Sequence, residues 1–138
     1  FERSNPKGFA LFKQYLSEHS ALGSANTQLG VQRERPSLYD LTDQLVKLRL
    51  PTLIVNGDED WACAKPGLML KETIPSAALA VIPNCGHTMN LEAADTFNAL
   101  LADFFYRVQS GTWPMRDVRA LSKTITGIDA GGDGASAP

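Results

Sequence analysis

Two short polar turns carry the side chains best suited to catalysis. The first, GDEDW, begins at Gly57, and the second, PNCGH, ends at His87. A carboxylate on one turn can orient an imidazole on the other and stabilise its charged form, so that the imidazole serves as a general base. We predict such a pair, with Asp58, Glu59 and Asp60 as candidate acids. The competing interpretation is a solvated acidic turn beside an ordinary loop histidine.

Both turns follow apolar runs that have the composition of buried strands. These runs, TLIVN at 52–56 and ALAVI at 78–82, are typical of strands covered on both faces. A helix over 66–74, with Pro66 in its first turn, lies between them, and a helix over 91–108 follows, capped by Asn90. This order predicts parallel strands joined by a right-handed crossover, with helices flanking the sheet. Loops at the carboxyl ends of such strands converge, which would bring the two polar turns together.

The ends of the chain are less regular. Apolar residues at helical spacing predict an amphipathic helix over 8–19, and the polar stretch over 20–36 favours a loop. Asp40 can cap a second short helix over 41–48. After Arg107 the periodicity weakens, and the final GGDGASAP has the composition of a mobile tail.

The composition excludes several classes of function. Of the 138 residues, 43% are hydrophobic and 20% are charged, and the net charge is -2, which suits a folded globular domain. Lys and Arg form no cluster with aromatic residues, so we expect no nucleic-acid partner. Apolar runs fall well short of a membrane span, so we expect no membrane partner. Cys63 and Cys85 lack zinc-ligand spacing and are expected to be reduced thiols in a cytoplasmic protein, although a bridge between them stays open.

From about residue 48 to 106 the chain resembles the C-terminal part of the α/β-hydrolase fold. The resemblance rests on PTLIVNGDEDWAC, PNCGH and HTMNLEAADTFNALLADFF, because the triad of that family runs in the order Ser, Asp, His. It implies an α/β fold class: a portion of a parallel sheet with flanking helices, preceded by cap-like helices. The implied divisions are a cap- or lid-like segment over 1–40, the C-terminal part of the core over 41–108, and a partly flexible tail over 109–138.

The resemblance also implies a set of roles. Asp60 would be the triad acid and His87 the triad base. Apart from the resemblance, Trp61 beside the acid and Met89 beside the base are candidates for lining the pocket of a small-molecule substrate, because such pockets are mostly apolar. Packing is an equally good interpretation of both residues. Cys85 would be structural rather than nucleophilic. No cofactor and no metal are expected.

Two departures from the family pattern affect these expectations. The helix after His87 has Ala94 where the family often has proline, which is minor because alanine is a good helix former. More seriously, the chain has no G-x-S-x-G motif, since the glycines around Ser20 and Ser136 have the wrong spacing. We therefore expect a piece of a longer protein that is inactive alone. It would pair with the upstream part of the same protein or with itself, because its sheet edges lack cover.

The intact protein is expected to be a serine-type hydrolase acting on an ester, a lactone or a related bond, including an activated carbon–carbon bond. An aspartate nucleophile would instead make it a dehalogenase or an epoxide hydrolase. The alternative from another class is a non-catalytic ligand-binding or scaffolding protein that has kept the fold.

Overall fold

A computed structural model describes residues 1–122 and 124–125. Within these residues, two strands lie among six α-helices and short π- and 3-10 segments. In chain order, the α-helices and strands are α1 (Pro6–Ser17), α2 (Ala21–Thr27), α3 (Thr42–Leu45), β1 (Thr52–Gly57), α4 (Trp61–Thr73), β2 (Ala77–Ile82), α5 (Met89–Glu92) and α6 (Ala94–Gln109). A π-helical turn over Gln28–Gln32 extends α2, and 3-10 turns cover Leu38–Leu41 and Val118–Leu121.

The described residues form a small parallel sheet with flanking helices. β1 and β2 pair in register from Thr52 opposite Ala77 to Gly57 opposite Ile82. Helix α4 makes the connection between them, as a parallel pair requires. The predicted strands, their parallel pairing and the α/β class are confirmed. Because both strands end at the same edge, the two polar turns leave the sheet side by side.

The prediction that both strands are buried on both faces is wrong for this chain. The first four residues of β1 are only half-buried, and Val81 of β2 is 54% exposed. In the part of the chain that the structure describes, the buried apolar residues are few: Ile74, Ala77, Ile82 and Cys85. Apolar composition predicts what a strand can bury, but the burial itself depends on what packs against it, and within the described residues one side of the sheet has little cover.

Helix α4 begins earlier than predicted. Its first residue is Trp61, Asp60 stands at its N-cap, and Pro66 lies inside it as the sixth residue rather than in the first turn. Proline there removes one backbone donor from the helix. The buried Asn56 side chain donates to the carbonyl of Cys63 at 2.7 Å, which helps to hold the first turn of helix α4 against β1.

Two other helix predictions need correction. The stretch over 20–36, predicted to be a loop, is largely helical: Ser20 caps α2 by accepting from the Gly23 amide, and the π-helical turn follows. A local cap can start a helix in a polar stretch that shows no apolar stripe. The helix predicted over 91–108 is divided at Ala93 into α5 and α6, and Asn90 lies inside α5 instead of capping it. The predicted helix over 8–19 is confirmed as α1, whereas the one over 41–48 shortens to α3.

The segment after α6 packs back onto the turn before β2. Trp113 Nε1 donates to the carbonyl of Ser76 at 2.7 Å, and the Arg116 guanidinium donates to the carbonyls of Lys71 and Ile74 at 2.8 and 3.2 Å. The mobile tail predicted over 131–138 lies outside the described residues. Among the described helices, none combines the length and the apolar composition needed to cross a bilayer.

Candidate active site

Hydrogen bonds between the two polar turns continue the sheet beyond its last paired residues. The Asp58 amide donates to the carbonyl of Ile82 at 3.1 Å, and the Glu59 amide donates to the carbonyl of Cys85 at 3.0 Å. In return, the Cys85 amide donates to the Asp58 carboxylate at 3.2 Å. The turns are therefore joined to each other through their backbones, so the side chains they carry have little freedom to separate.

A glycine allows this close approach. Gly57 is buried at the end of β1, and a Cβ atom there would overlap the carbonyl oxygens of Cys85 and Gly86. Any other residue would push the second turn away from the first, because a backbone carbonyl cannot rotate aside as a flexible side chain can. The sequence indicated only that Gly57 ends a strand. In the structure, the missing side chain of Gly57 also allows the two polar turns to lie close together.

Asp60 and His87 meet across the two turns. Oδ2 of Asp60 lies 2.7 Å from Nδ1 of His87. The Asp60 side chain is 7% exposed, whereas the His87 side chain is 78% exposed. Of the three candidate acids, Asp60 alone contacts the imidazole, since Asp58 accepts from Cys85 and Glu59 is exposed. The structure thus brings together the two residues that the sequence proposed as a pair.

The surroundings keep the acid ionised. The hydrogen bond from His87 lowers the pKa of Asp60, burial opposes that shift, and a hydrogen bond from the Cys63 side chain adds to it, so the net pKa lies below its ordinary value. An ionised Asp60 accepts a hydrogen bond from the Nδ1–H group of His87, which selects the tautomer with a lone pair on Nε2. Within the described residues no hydrogen-bond partner contacts Nε2, so this atom is available to a reacting group.

Cys63 is a third member of the cluster, one that the sequence did not predict. Its Sγ lies 3.7 Å from Nδ1 of His87, on the same side of the ring as Asp60. The hydrogen bond to Asp60, together with burial and the charge of that carboxylate, raises the pKa of Cys63. The thiol therefore stays protonated beside the acid and is a poor nucleophile. Its signal in the sequence was a position three residues after Asp60, which the helical turn of α4 folds back onto the acid.

Glu92 holds the second polar turn in place through hydrogen bonds, and the sequence did not predict this positioning role. Its Oε1 accepts from the Gly86 amide at 3.2 Å and from the Thr88 hydroxyl at 3.0 Å, and its Oε2 accepts from the Ser4 hydroxyl at 3.2 Å. Burial acts to raise the pKa of Glu92, but the hydrogen bonds from Gly86 and Thr88, together with the hydrogen bond and the charge of the Phe1 amino group, outweigh it and the net pKa is lowered. Asn84 completes the turn with a φ of 56°, which asparagine tolerates better than most residues.

Both cysteines are free. Burial raises the pKa of Cys85, whose thiol is enclosed beneath the second turn. This placement agrees with the expectation that Cys85 packs rather than reacts. The bridge to Cys63 that the sequence left open is not formed.

The two residues expected to bind substrate have different environments. Trp61 is 81% exposed at the start of α4, and Met89 is half-buried at the start of α5. Neither lines a described cavity, so their roles stay predictions. An apolar cavity of about 370 Å³ lies elsewhere, between β2, α6 and the segment around Trp113. None of its lining residues belongs to the two polar turns that carry Asp60 and His87.

Comparisons with known proteins reveal relatives but no matching family model. The 2-hydroxy-6-oxo-6-phenylhexa-2,4-dienoate hydrolase of Burkholderia cepacia is 36% identical over 80 residues, covering 57% of this chain and 28% of that protein. The 2-hydroxy-6-oxononadienedioate/2-hydroxy-6-oxononatrienedioate hydrolase 2 of Pseudomonas putida is 37% identical over 91 residues, covering 64% and 31%. The proline iminopeptidase of Lactobacillus helveticus is 32% identical over 66 residues, covering 48% and 22%.

Among solved structures, MenH from S. aureus is 28% identical, with a TM-score of 0.48 over 50% of this chain and 26% of its own length. The chain spans less than a third of the length of the curated relatives described above. Those relatives are hydrolases of the α/β fold family, which confirms the resemblance recognised in the sequence.

Proposed function

We propose, from this kinship with α/β-hydrolases, that the chain supplies the acid and the base of a Ser-His-Asp triad in a small-molecule hydrolase. The observation that carries the proposal is the 2.7 Å contact between Asp60 Oδ2 and His87 Nδ1. A buried acid that holds one ring nitrogen while the other faces outward is the arrangement that a histidine base requires.

In the proposed mechanism each residue has one task. His87 Nε2 takes the proton from a serine hydroxyl as the serine attacks the substrate carbonyl. Asp60 keeps the proton on Nδ1 and stabilises the imidazolium that forms. The imidazolium then donates its proton to the leaving group, and the cycle repeats with water as the attacking group. The low pKa of Asp60 favours this role, because the acid stays ionised throughout.

The nucleophile must come from outside these 138 residues, since they contain no G-x-S-x-G motif. We propose that it lies in an upstream part of the same protein, and that this chain alone does not turn over substrate. The uncovered sheet edge and the partly exposed strands suit contact with that part, or with a second copy when it is missing. Sedimentation velocity of the isolated chain should show association, and a stable monomer at all concentrations would contradict this.

The substrate class is proposed from the relatives. Two of them are named for 2-hydroxy-6-oxo-dienoates, and one is named as an iminopeptidase. The former group matches over more of this chain, so we propose a carbonyl compound whose 6-oxo-type group accepts the nucleophile, with ester or lactone cleavage as the neighbouring reactions. Parallel assays of an oxo-dienoate, an aryl ester and a prolyl peptide on the intact protein would separate these possibilities. Faster cleavage of the prolyl peptide would overturn the assignment.

Replacing the base and the acid tests the triad. In the intact protein, His87→Ala and Asp60→Asn should each lower kcat by about 10⁴-fold, because the first removes the base and the second loses the correct tautomer. His19→Ala and Asp43→Asn are matched controls, since His19 and Asp43 are exposed and lie away from the pair. Retained hydrolysis in His87→Ala would defeat the proposal. Binding of the substrate without turnover by the unaltered protein would favour the non-catalytic ligand-binding alternative.

The proposed chemistry needs no cofactor, because a serine, a histidine and an aspartate supply the nucleophile and all the proton transfers. Free Cys63 and Cys85 are typical of a reducing compartment, so we propose a cytoplasmic location. Recovery of the intact protein from a secreted fraction, with its cysteines oxidised, would contradict this location.

A further inference from the structure

We propose that Asp60, Cys63 and His87 together form a binding site for a zinc-like divalent cation. One ligand atom from each residue lies within 4.8 Å of the others. The three atoms are a carboxylate oxygen, a thiol sulfur and an imidazole nitrogen, which are the three ligand types that Zn²⁺ takes from proteins. No spacing motif announces the site, because its members come from the turn after β1, the first turn of α4 and the turn after β2.

The distances suit a tetrahedral ion. Zinc bonds of about 2.3 Å to sulfur and about 2.0 Å to nitrogen place the two ligand atoms roughly 3.5 Å apart. Cys63 Sγ and His87 Nδ1 are already 3.7 Å apart. The carboxylate must move away from the imidazole, because oxygen and nitrogen ligands of one zinc ion are roughly 3.4 Å apart and these atoms are now at 2.7 Å. The imidazole is 78% exposed, so the ring can swing outward to make that room.

The burial of the ligands favours one open coordination position. Asp60 is buried, Cys63 is half-buried and His87 is exposed, so the ion would rest against the protein on one side and keep water on the other. Three protein ligands and one open position distinguish such a site from a closed structural site, which has four protein ligands. Asp60 is held from behind by backbone hydrogen bonds of the turn and the start of α4, which limits how far it can retreat.

Binding would rearrange protons in a defined way. The cation takes the Nδ1 lone pair, so the Nδ1 proton moves to Nε2 through solvent, and the thiol of Cys63 releases one proton as it becomes a thiolate. The overall change is one metal ion bound and one proton released. With the proton on Nε2, His87 cannot accept one from a hydroxyl. This consequence rests on the proposed function: the cation would be an inhibitor whose effect depends on Cys63.

Cobalt reports such a site directly, without any enzyme assay. Co²⁺ added to the reduced chain should give one equivalent of tetrahedral visible absorption bands and a thiolate charge-transfer band in the near ultraviolet, and Zn²⁺ should displace both. Cys63→Ser should abolish the charge-transfer band and weaken Zn²⁺ binding by at least about 10-fold, since even outer-shell changes cost that much. Cys85→Ser is the matched control and should keep both signals, because the Cys85 thiol is buried and is not one of the three clustered ligands.

Several results would overturn the site. If Cys85→Ser abolished the charge-transfer band and Cys63→Ser kept it, the thiolate ligand would be Cys85 and the proposed site would be wrong. Weak octahedral bands, insensitive to Cys63→Ser, would mean surface binding only.

In the active intact protein, Zn²⁺ should inhibit the unaltered form at least about 10-fold more strongly than Cys63→Ser. If the cobalt bands appear but no hydrolysis is found, the proposed function fails while the metal site stands. If hydrolysis is found and Zn²⁺ inhibits both forms equally, the metal proposal fails and the proposed function stands.

Discussion

The edge of the sheet that carries Asp60 and His87 and the helical segment over 20–36 are held by different kinds of contact. At the sheet edge, hydrogen bonds join residues far apart in sequence, such as Cys85 to Asp58 and His87 to Asp60, each 27 positions apart. In the helical segment the side-chain hydrogen bonds are local, such as Gly23 to Ser20, three positions apart. The first arrangement needs the whole fold, whereas the second needs only a helix.

Exposure follows the same division. Apolar side chains of the helical segment are largely open to solvent: Leu22 is 72% exposed, Leu29 is 59% and Val31 is 58%. At the sheet edge Ile82 is 3% exposed and Cys85 is 1% exposed. Local hydrogen bonds without buried apolar surface belong to the low-stability end of a protein, where opening costs little. We infer that the geometry of the candidate site is maintained independently of the helical segment.

The largest contrast should come from two glycines. Gly57→Ala should destabilise the chain by roughly 3 kcal/mol, at the upper end of overpacking costs, because the new methyl group meets the carbonyls of Cys85 and Gly86. Gly30→Ala, in the helical segment, has open space around its Cβ and should be stabilising by about 0.4–1 kcal/mol. Urea denaturation of both variants measures the difference. Equal midpoints would show that the two turns are not in close contact.

A smaller contrast is expected from two glutamates. Glu92→Gln should cost about 2 kcal/mol, because a carboxylate that accepts from Gly86 and Thr88 loses its charge. Glu18→Gln should change the free energy of unfolding by less than about 0.5 kcal/mol, since the Glu18 carboxylate is exposed and the one hydrogen bond that a described side chain donates to it comes from the equally exposed Gln14. Thermal unfolding followed by circular dichroism would compare them. If Glu18→Gln proved as costly as Glu92→Gln, the division between the two regions would be wrong.

Low pH should destabilise the sheet edge that carries the candidate site, because it protonates the carboxylates of Asp60 and Glu92. The folded-state pKa values of Asp60 and Glu92 lie below their ordinary values. In the unfolded chain these pKa values are about 3.9 for aspartate and about 4.3 for glutamate. Both ionised groups therefore stabilise the fold fully at pH values above the unfolded-state pKa. That contribution is lost as pH falls through the folded-state values. Unfolding free energy measured from pH 6 downward should therefore fall less steeply in Asp60→Asn and in Glu92→Gln than in the unaltered chain. An unchanged slope would contradict these shifts.

The smallest effect should be confined to the helical segment. Ser20→Ala removes the cap of α2 and should lower the local opening free energy by about 1 kcal/mol, with global unfolding unchanged. Hydrogen exchange of the α2 amides, compared with the β1 amides, would detect it. Ser24→Ala, inside the same helix, is the control and should not accelerate exchange. Faster exchange in β1 as well would mean that the helical segment supports the sheet after all.

The sequence was most informative where composition and chain direction leave few alternatives. The runs 52–56 and 78–82 had to be strands, and parallel strands end at the same edge, so the meeting of Asp60 with His87 could be predicted. The sequence was least informative where local hydrogen bonds, and not apolar periodicity, determine where a helix begins. The start of α4 at Trp61 and the helix in 20–36 depend on local caps and turns that carry no apolar periodicity.

Residue types, their order and their spacing in the chain were enough to indicate an acid and a base on neighbouring turns of a parallel α/β unit. They could not indicate which further side chains surround that pair. Cys63 contacts His87 because a helical turn folds it back, and Glu92 reaches Gly86 because α5 begins directly behind the turn. Such contacts depend on distances of a few ångströms between separate elements, and only the packing of those elements in three dimensions sets them.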